Sequence, residues 1–430
     1  MSNPYPVLTL PFDIISQIFV YCLPPEDDAL PWRTEAPLLL AGICRDWRDV
    51  ALTVHELWNT IHLSLRPRSI LKVAPLLKFW VPRAGNLPLS MSLVYKSEGS
   101  DTAAATRTLE ELLDVYAPHW SSIELKIPLP TLIGLSPPEE DLASLRKLVL
   151  DLGAGWLTNR DKQLGDVFSK APKMCELHII SGPSAKLALP WEQLTTLRLD
   201  NASRAECLRT LALVPKLVNF TVTLWAGSPG VSGSVLPPLS RLKSLTFTLS
   251  HTRGPALLHS LTLPALHHLA LELQSLPEIT SVTSLITRSP CFLRRLSVRM
   301  GLGWTADYFM QLFVTLDSLE ELEIKKASQS LDTGLGLLKV QPHLLPNLRS
   351  LSVERTFHVR ENAELLADLL ESRWNIPATV SLPVQLKSFR LDSPLTEAPD
   401  ADSRAVLRLA RLRAEGMKIQ IRSSFWSWFY

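Results

Sequence analysis

From about Trp120 onward the chain repeats one short pattern of apolar positions, Leu-x-x-Leu-x-Leu. It reads Leu145/Leu148/Leu150, Met174/Leu177/Ile179 and Leu194/Leu197/Leu199. It continues as Leu217/Phe220/Val222, Leu242/Leu245/Phe247, Leu266/Leu269/Leu271 and Leu293/Leu296/Val298. Leu319/Leu322/Ile324, Leu348/Leu351/Val353 and Leu386/Phe389/Leu391 complete the series, and Trp120/Ile123/Leu125 is a weaker first copy. The closing alternation predicts a short strand with one buried face, because successive side chains point to opposite sides. Between copies, apolar residues return at helical spacing over Thr102–Tyr116, Thr158–Lys170, Ala202–Val214, Thr280–Ser289, Ala306–Leu316 and Asn362–Trp374. One strand and one helix cannot bury their common face alone, whereas stacked copies can. The pattern therefore predicts an α/β chain whose larger part is an irregular solenoid with a parallel sheet. Arg404–Glu415 reads as a last helix, Met417–Ile421 as a last strand, and the aromatic residues 425–430 as a cap.

The first sixty residues have a different rhythm. Pro11 suits the first position of a helix, where a missing N–H costs nothing. Ile14, Ile15, Ile18, Phe19, Cys22 and Leu23 then follow at helical spacing. Pro24-Pro25 stops that helix, and a loop runs from Glu26 to Pro37. Leu38, Leu39 and Leu40 open a second helix that continues, or restarts after Gly42, through Ile43, Trp47, Val50, Ala51 and Val54. Leu57-Trp58 closes the segment and Thr60–Leu65 alternates like a strand. Helix Ser69–Lys78 and strand Leu87–Leu93 lead onward. A helical bundle this small buries little surface by itself and needs a partner or the rest of the chain.

The spacing between copies, roughly 20–29 residues, is the leucine-rich-repeat period. Many such repeats carry Asn three residues after the last strand leucine; Gly153, Gly182, Ala202 and Trp225 are among the residues found there in this chain. The array is therefore degenerate, with a Gly-, Ser- and Pro-rich excursion over 225–238 and further loops over 340–346 and 393–402. Leu10-Pro11, Ile18-Phe19, the block Ile43-Cys44-Arg45-Asp46-Trp47-Arg48-Asp49-Val50-Ala51 and the pair Leu57-Trp58 together resemble the F-box. The arrangement is similar to the large F-box-like families of mushroom-forming fungi. That resemblance implies a helical module over residues 1–65, connecting strand and helix units over 66–118, and a degenerate leucine-rich-repeat solenoid over 119–430. It implies a surface for a Skp-type adaptor of a cullin–RING ubiquitin ligase. By position, Leu10, Pro11, Ile14, Ile15, Ile18 and Phe19 would supply apolar contacts. Leu39, Leu40, Ile43, Trp47, Leu57 and Trp58 would pack the module or extend that contact. The chain would then be a substrate receptor and not an enzyme, or alternatively a repeat scaffold without a ligase role.

Composition narrows the choice. Apolar residues make up 46% of the chain, enough for a large core, and formal net charge is only +2. No basic excess argues for nucleic acid. Interruption of the stretch Val7–Leu23 by Asp13, Ser16 and Gln17 argues against a membrane span. Cys22, Cys44, Cys175, Cys207 and Cys291 are odd in number and widely spaced, which fits free thiols and an intracellular location, cytoplasmic or nuclear.

Strand residues flanking the second apolar position face away from the core, from Val149/Asp151 through Ser297/Arg299 to Arg390/Asp392. On the concave face of a solenoid such residues bind partners. Arg299, Glu323, Lys325, Glu354 and Arg390 form the candidate target-binding patch. No cofactor or metal is expected. Gly301-Leu-Gly303-Trp-Thr-Ala306 matches a dinucleotide fingerprint but sits inside one repeat among many and reads as a repeat loop. His267-His268 lacks ligand spacing, and Gly230-Val-Ser-Gly233 is not a nucleophile elbow.

Overall fold

The computed structural model describes residues 10–24, 31, 33–65, 73–95, 103–153, 165–224, 236–249, 257–272, 277–299, 304–327, 331–355, 363–376, 382–393, 404–423 and 427–428. The chain divides into two compact units, Met1–Asp200 and Asn201–Tyr430.

The first unit opens with helices α1 (Phe12–Tyr21), α2 (Leu38–Ile43) and α3 (Arg45–Thr53). Pro11 stands one residue outside α1, where its carbonyl accepts from the amides of Ile14 and Ile15 at 3.0 and 3.1 Å. The second helical stretch does break, at Cys44 rather than Gly42. Cys44 is extended, and its sulfur accepts from the Trp47 amide at 3.5 Å, so it caps α3. Of the expected loop over 26–37, residues 31 and 33–37 are described and lie in no helix or strand, and the others lie outside the described residues.

Strand β1 (Thr60–Leu65), helix α4 (Val73–Trp80) and strand β2 (Leu89–Tyr95) follow. Then come α5 (Ala103–Tyr116), β3 (Trp120–Lys126), α6 (Leu129–Gly134), β4 (Lys147–Asp151), β5 (Glu176–Ser181) and β6 (Thr196–Ala202), with which the unit ends. Each strand pairs in parallel with the next. Ile61, Met91, Ile123, Leu148, Leu177 and Leu197 share one rung, and all are buried. Burying one such side chain contributes about 1.5–3 kcal/mol, so the ladder carries the stack. Of the helix expected over Thr158–Lys170, residues 165–170 form no helix, with a turn at 167–168, and residues 158–164 lie outside the described residues.

The second unit repeats the plan with α7 (Arg204–Leu211), β7 (Asn219–Leu224), β8 (Ser244–Leu249), β9 (His268–Glu272), α8 (Pro277–Arg288) and β10 (Arg295–Arg299). It continues with α9 (Ala306–Val314), β11 (Glu321–Ala327), α10 (Leu331–Val340), β12 (Ser350–Arg355), α11 (Ala363–Trp374), β13 (Ser388–Ser393), α12 (Arg404–Ala414) and β14 (Lys418–Ser423). Strands β7 to β14 pair in parallel in order of sequence. A short β15 (Ser427–Trp428) pairs antiparallel with β14; the rest of the expected aromatic cap lies outside the described residues. Phe220, Leu245, Leu269, Leu296, Leu322, Leu351, Phe389 and Ile419 form the buried rung. Both units are thus leucine-rich-repeat-like α/β stacks. Gly301–Gly303, the excursion over 225–235 and the tract over 394–402 lie outside the described residues. Among the described residues no helix is long and apolar enough to cross a membrane.

Candidate functional site

Helix α1 carries more apolar residues than one face can bury. Ile15 and Phe19, one turn apart, point inward and are 7% and 1% exposed. Phe19 meets the Trp47 ring at 5.0 Å, which joins α1 to α3. Beneath them Ala51, Leu57 and Trp58 are fully enclosed. The Trp58 indole N–H donates to Ala51 O at 2.7 Å, and its ring meets Trp80 and Phe79 of α4 edge-on at 4.9 and 5.6 Å. The Leu57-Trp58 pair therefore seats the helical module on the first strand–helix unit.

This geometry sorts the residues that the sequence grouped together. Ile15, Phe19, Leu40, Leu57 and Trp58 are buried and hold the module together, so they offer no free contact surface. Trp47 is half-buried. Leu10, Pro11, Ile14, Ile18, Leu39 and Ile43 are exposed. The sequence reading left out Phe12, Val20 and Tyr21, which are exposed on α1 as well, Phe12 at 53%. The signal for them was present: α1 has two apolar stripes, and only one can face inward. Phe12, Ile14, Ile18, Val20 and Tyr21 are thus exposed together on one short helix.

The outward strand residues form a second surface. Arg299 on β10, Glu323 and Lys325 on β11, Glu354 on β12 and Arg390 on β13 stand on adjacent strands, so the fold brings the expected patch together. It also pairs charges within the patch. Lys325 Nζ lies 3.3 Å from Glu323 Oε2, and Arg390 Nη2 lies 2.7 Å from Asp392 Oδ2. Register shifts between Ile324 and Ala327, with Lys326 at φ 49°, so the row is not straight at β11 and β12. Val149 and Ser297, expected to face out, are buried; a short side chain between neighbours on adjacent strands is covered by them.

The first unit shows the same local pairing. Partial burial alone would push the Glu124 carboxyl up, but Lys126 at 2.9 Å, with Ser92 and His62, holds it below its ordinary value. His178 Nε2 and Arg198 Nε share Asp200 at 2.7 and 3.0 Å. Cys207 is buried, and desolvation followed by the nearby Glu206 charge pushes its thiol far up, away from nucleophilic chemistry. His268 is pushed down, first by burial and then by Arg295. Among the described residues no cluster of His, Cys, Asp and Glu could hold a metal ion.

No protein-family model matches the sequence, and no curated protein does. Among solved structures, the chain is similar to the leucine-rich repeat-containing protein LegL7 from Legionella pneumophila at 13% identity. That match covers 85% of this chain and 91% of that one with a TM-score of 0.38. An internalin, InlF, from Listeria monocytogenes is 12% identical, with 80% and 82% covered and a TM-score of 0.30. The leucine-rich-repeat character of this chain rests on its own strand ladders.

Proposed function

We propose that the chain is a substrate receptor of a cullin–RING ubiquitin ligase. The helical module docks a Skp-type adaptor, the outward strand residues capture a target protein, and the ligase supplies the chemistry. In this reading the chain is not itself an enzyme and needs no cofactor. The observation that carries the proposal is the exposure of Ile14 and Ile18 on α1 and of Leu39 and Ile43 on α2, in a module whose inward residues are buried. The F-box-like block from Ile43 to Ala51 adds the kind of partner. Holding a target beside the ligase raises its effective concentration without new chemistry at the receptor.

Co-purification with a Skp-type adaptor and a cullin tests this. The wild-type chain captures both, and Ile18→Asp, which alters an exposed side chain, captures neither while keeping its circular dichroism. A wild-type chain that captures no adaptor sinks the proposal. Adaptor capture with no ubiquitinated target leaves a repeat scaffold instead.

A further inference from the structure

The strands of the second unit carry a row of charge at their starts. Backbone hydrogen bonds join Lys243, His267, Arg294, Glu320, Arg349 and Lys387 rung by rung, each amide donating to the preceding carbonyl at 2.8–2.9 Å. The Lys418 amide then donates to Lys387 O at 3.0 Å, and Lys418 stands opposite Ser388, one position beyond Lys387. All these side chains are exposed except that of Glu320, which is half-buried. Lys243, Arg294, Arg349, Lys387 and Lys418 have no ion-pair partner among the described residues.

The fold does not require cations there. In the first unit the same rung holds Ser121, Arg146, Cys175 and Thr195, joined by the same backbone bonds at 2.8–2.9 Å, with a single cation. Neighbouring strands stand about 4.8 Å apart, so cations on successive strands repel one another. In the row only Arg349 and Lys387 are cations on successive strands, so the repulsion is concentrated on that pair.

Along β12 to β14 the row opens into a cleft of about 450 Å³, lined by Arg349, Lys387, Lys418, Ser350, Ser388 and Trp374. Glu320 and Glu321 border it. Glu321 is engaged by Arg295 at 3.0 Å. Three cations facing one space match clustered carboxylates; the Ser350 and Ser388 hydroxyls bond each other at 2.8 Å, which leaves one O–H free to donate.

We propose that this cleft docks an acidic peptide segment of a protein partner, with Asp or Glu carboxylates against Arg349, Lys387 and Lys418. Two strand spacings are about 10 Å, the length of roughly three extended residues. Glu320 repels acid at the β11 side, so the segment's next residue there is neutral or basic. The surface lies at the strand starts rather than on the outward strand residues and needs no adaptor. It therefore goes beyond the function proposed above, and its failure leaves that reading untouched.

The test is fluorescence anisotropy of a labelled oligoglutamate peptide with the full chain. The expected result is binding that weakens with salt. Affinity falls by about tenfold or more in the triple variant Arg349→Glu, Lys387→Glu, Lys418→Glu. It rises in Glu320→Gln, and it is unchanged in Arg404→Glu, an exposed cation at the start of α12. Circular dichroism verifies that each variant is folded. Equal binding of a neutral peptide, insensitivity to the triple reversal, or an equal loss in Arg404→Glu overturns the proposal. So does binding of only the phosphoserine version of the peptide, or of an RNA oligonucleotide in place of the acidic peptide.

Discussion

Trp58 shows how one residue commits a segment. Its ring is enclosed, its indole N–H is satisfied by Ala51 O, and two aromatic rings of α4 pack against it. Trp58→Ala removes all three at once, and a buried aromatic truncated to Ala costs about 3–5 kcal/mol. Urea unfolding is expected to show a free energy of unfolding reduced by that amount and a lower midpoint; an unchanged midpoint would mean that the module unfolds separately from what is measured. Neighbours on α1 separate packing from docking. Phe19→Asp puts an unpaired charge into a site that is 1% exposed, and the module is expected to melt. Ile18→Asp acts on a side chain 39% exposed, where substitutions stay within about ±0.5 kcal/mol. The two variants' thermal melts should therefore differ clearly. Periodicity marked both residues as apolar but could not rank them. Helical spacing yields a stripe for Ile15 and Phe19 and another for Ile14 and Ile18, and only packing against Trp47 and Leu57 decides which is covered.

Elements were legible where the pattern was strong. Every copy of Leu-x-x-Leu-x-Leu became a strand, because the alternation that defines it is also the burial pattern of a strand with one covered face. Helix α10, which contains Gly334 and Gly336, is not among the helices expected from periodicity. The roles of the two glycines differ. A Cβ on Gly334 would stand 2.7 Å from the Phe309 ring, so glycine lets α10 approach α9 closely, whereas Gly336 has open space. Gly334→Ala is expected to destabilise by about 1–3 kcal/mol through overpacking. Gly336→Ala is expected to stabilise by about 0.5–1 kcal/mol through helix propensity. Chemical denaturation of the pair measures both signs, and a stabilising Gly334→Ala would contradict the close approach.

The last helices are tied by charge. Arg408 of α12 reaches Glu364, Asp368 and Glu371 of α11 at 2.5–2.6 Å, and Lys339 of α10 meets Asp368 at 2.6 Å. Hydrogen bonds from Lys339 and Arg408 hold the Asp368 carboxyl below its ordinary value, and the bond from Arg408 does the same for Glu371. A carboxylate depressed in the folded state stabilises above its unfolded pKa, roughly 4, and that stability is lost as pH falls through the folded value. Stability should therefore drop below about pH 4 more steeply in the wild type than in Arg408→Met. Parallel acid-induced slopes would show that the network carries no net stabilisation.

At the scale of the whole chain a formal charge of +2 conceals an arrangement. Acids gather on α11 while cations line the strand starts of the second unit, and no sum over the sequence separates them. The two proposed docking surfaces are separated as well: the exposed apolar residues of α1 and α2 belong to Met1–Asp200 and the basic cleft to Asn201–Tyr430. Two surfaces built from different residues, one apolar and one cationic, are expected to fail independently. Ile18→Asp should lose the adaptor and keep the acidic peptide with its full salt dependence. The triple reversal at Arg349, Lys387 and Lys418 should lose the peptide and keep the adaptor, whose apolar contact is nearly insensitive to ionic strength. Measuring both ligands on both variants gives four affinities. If either variant lost both ligands while remaining folded, two separate docking surfaces would be the wrong account.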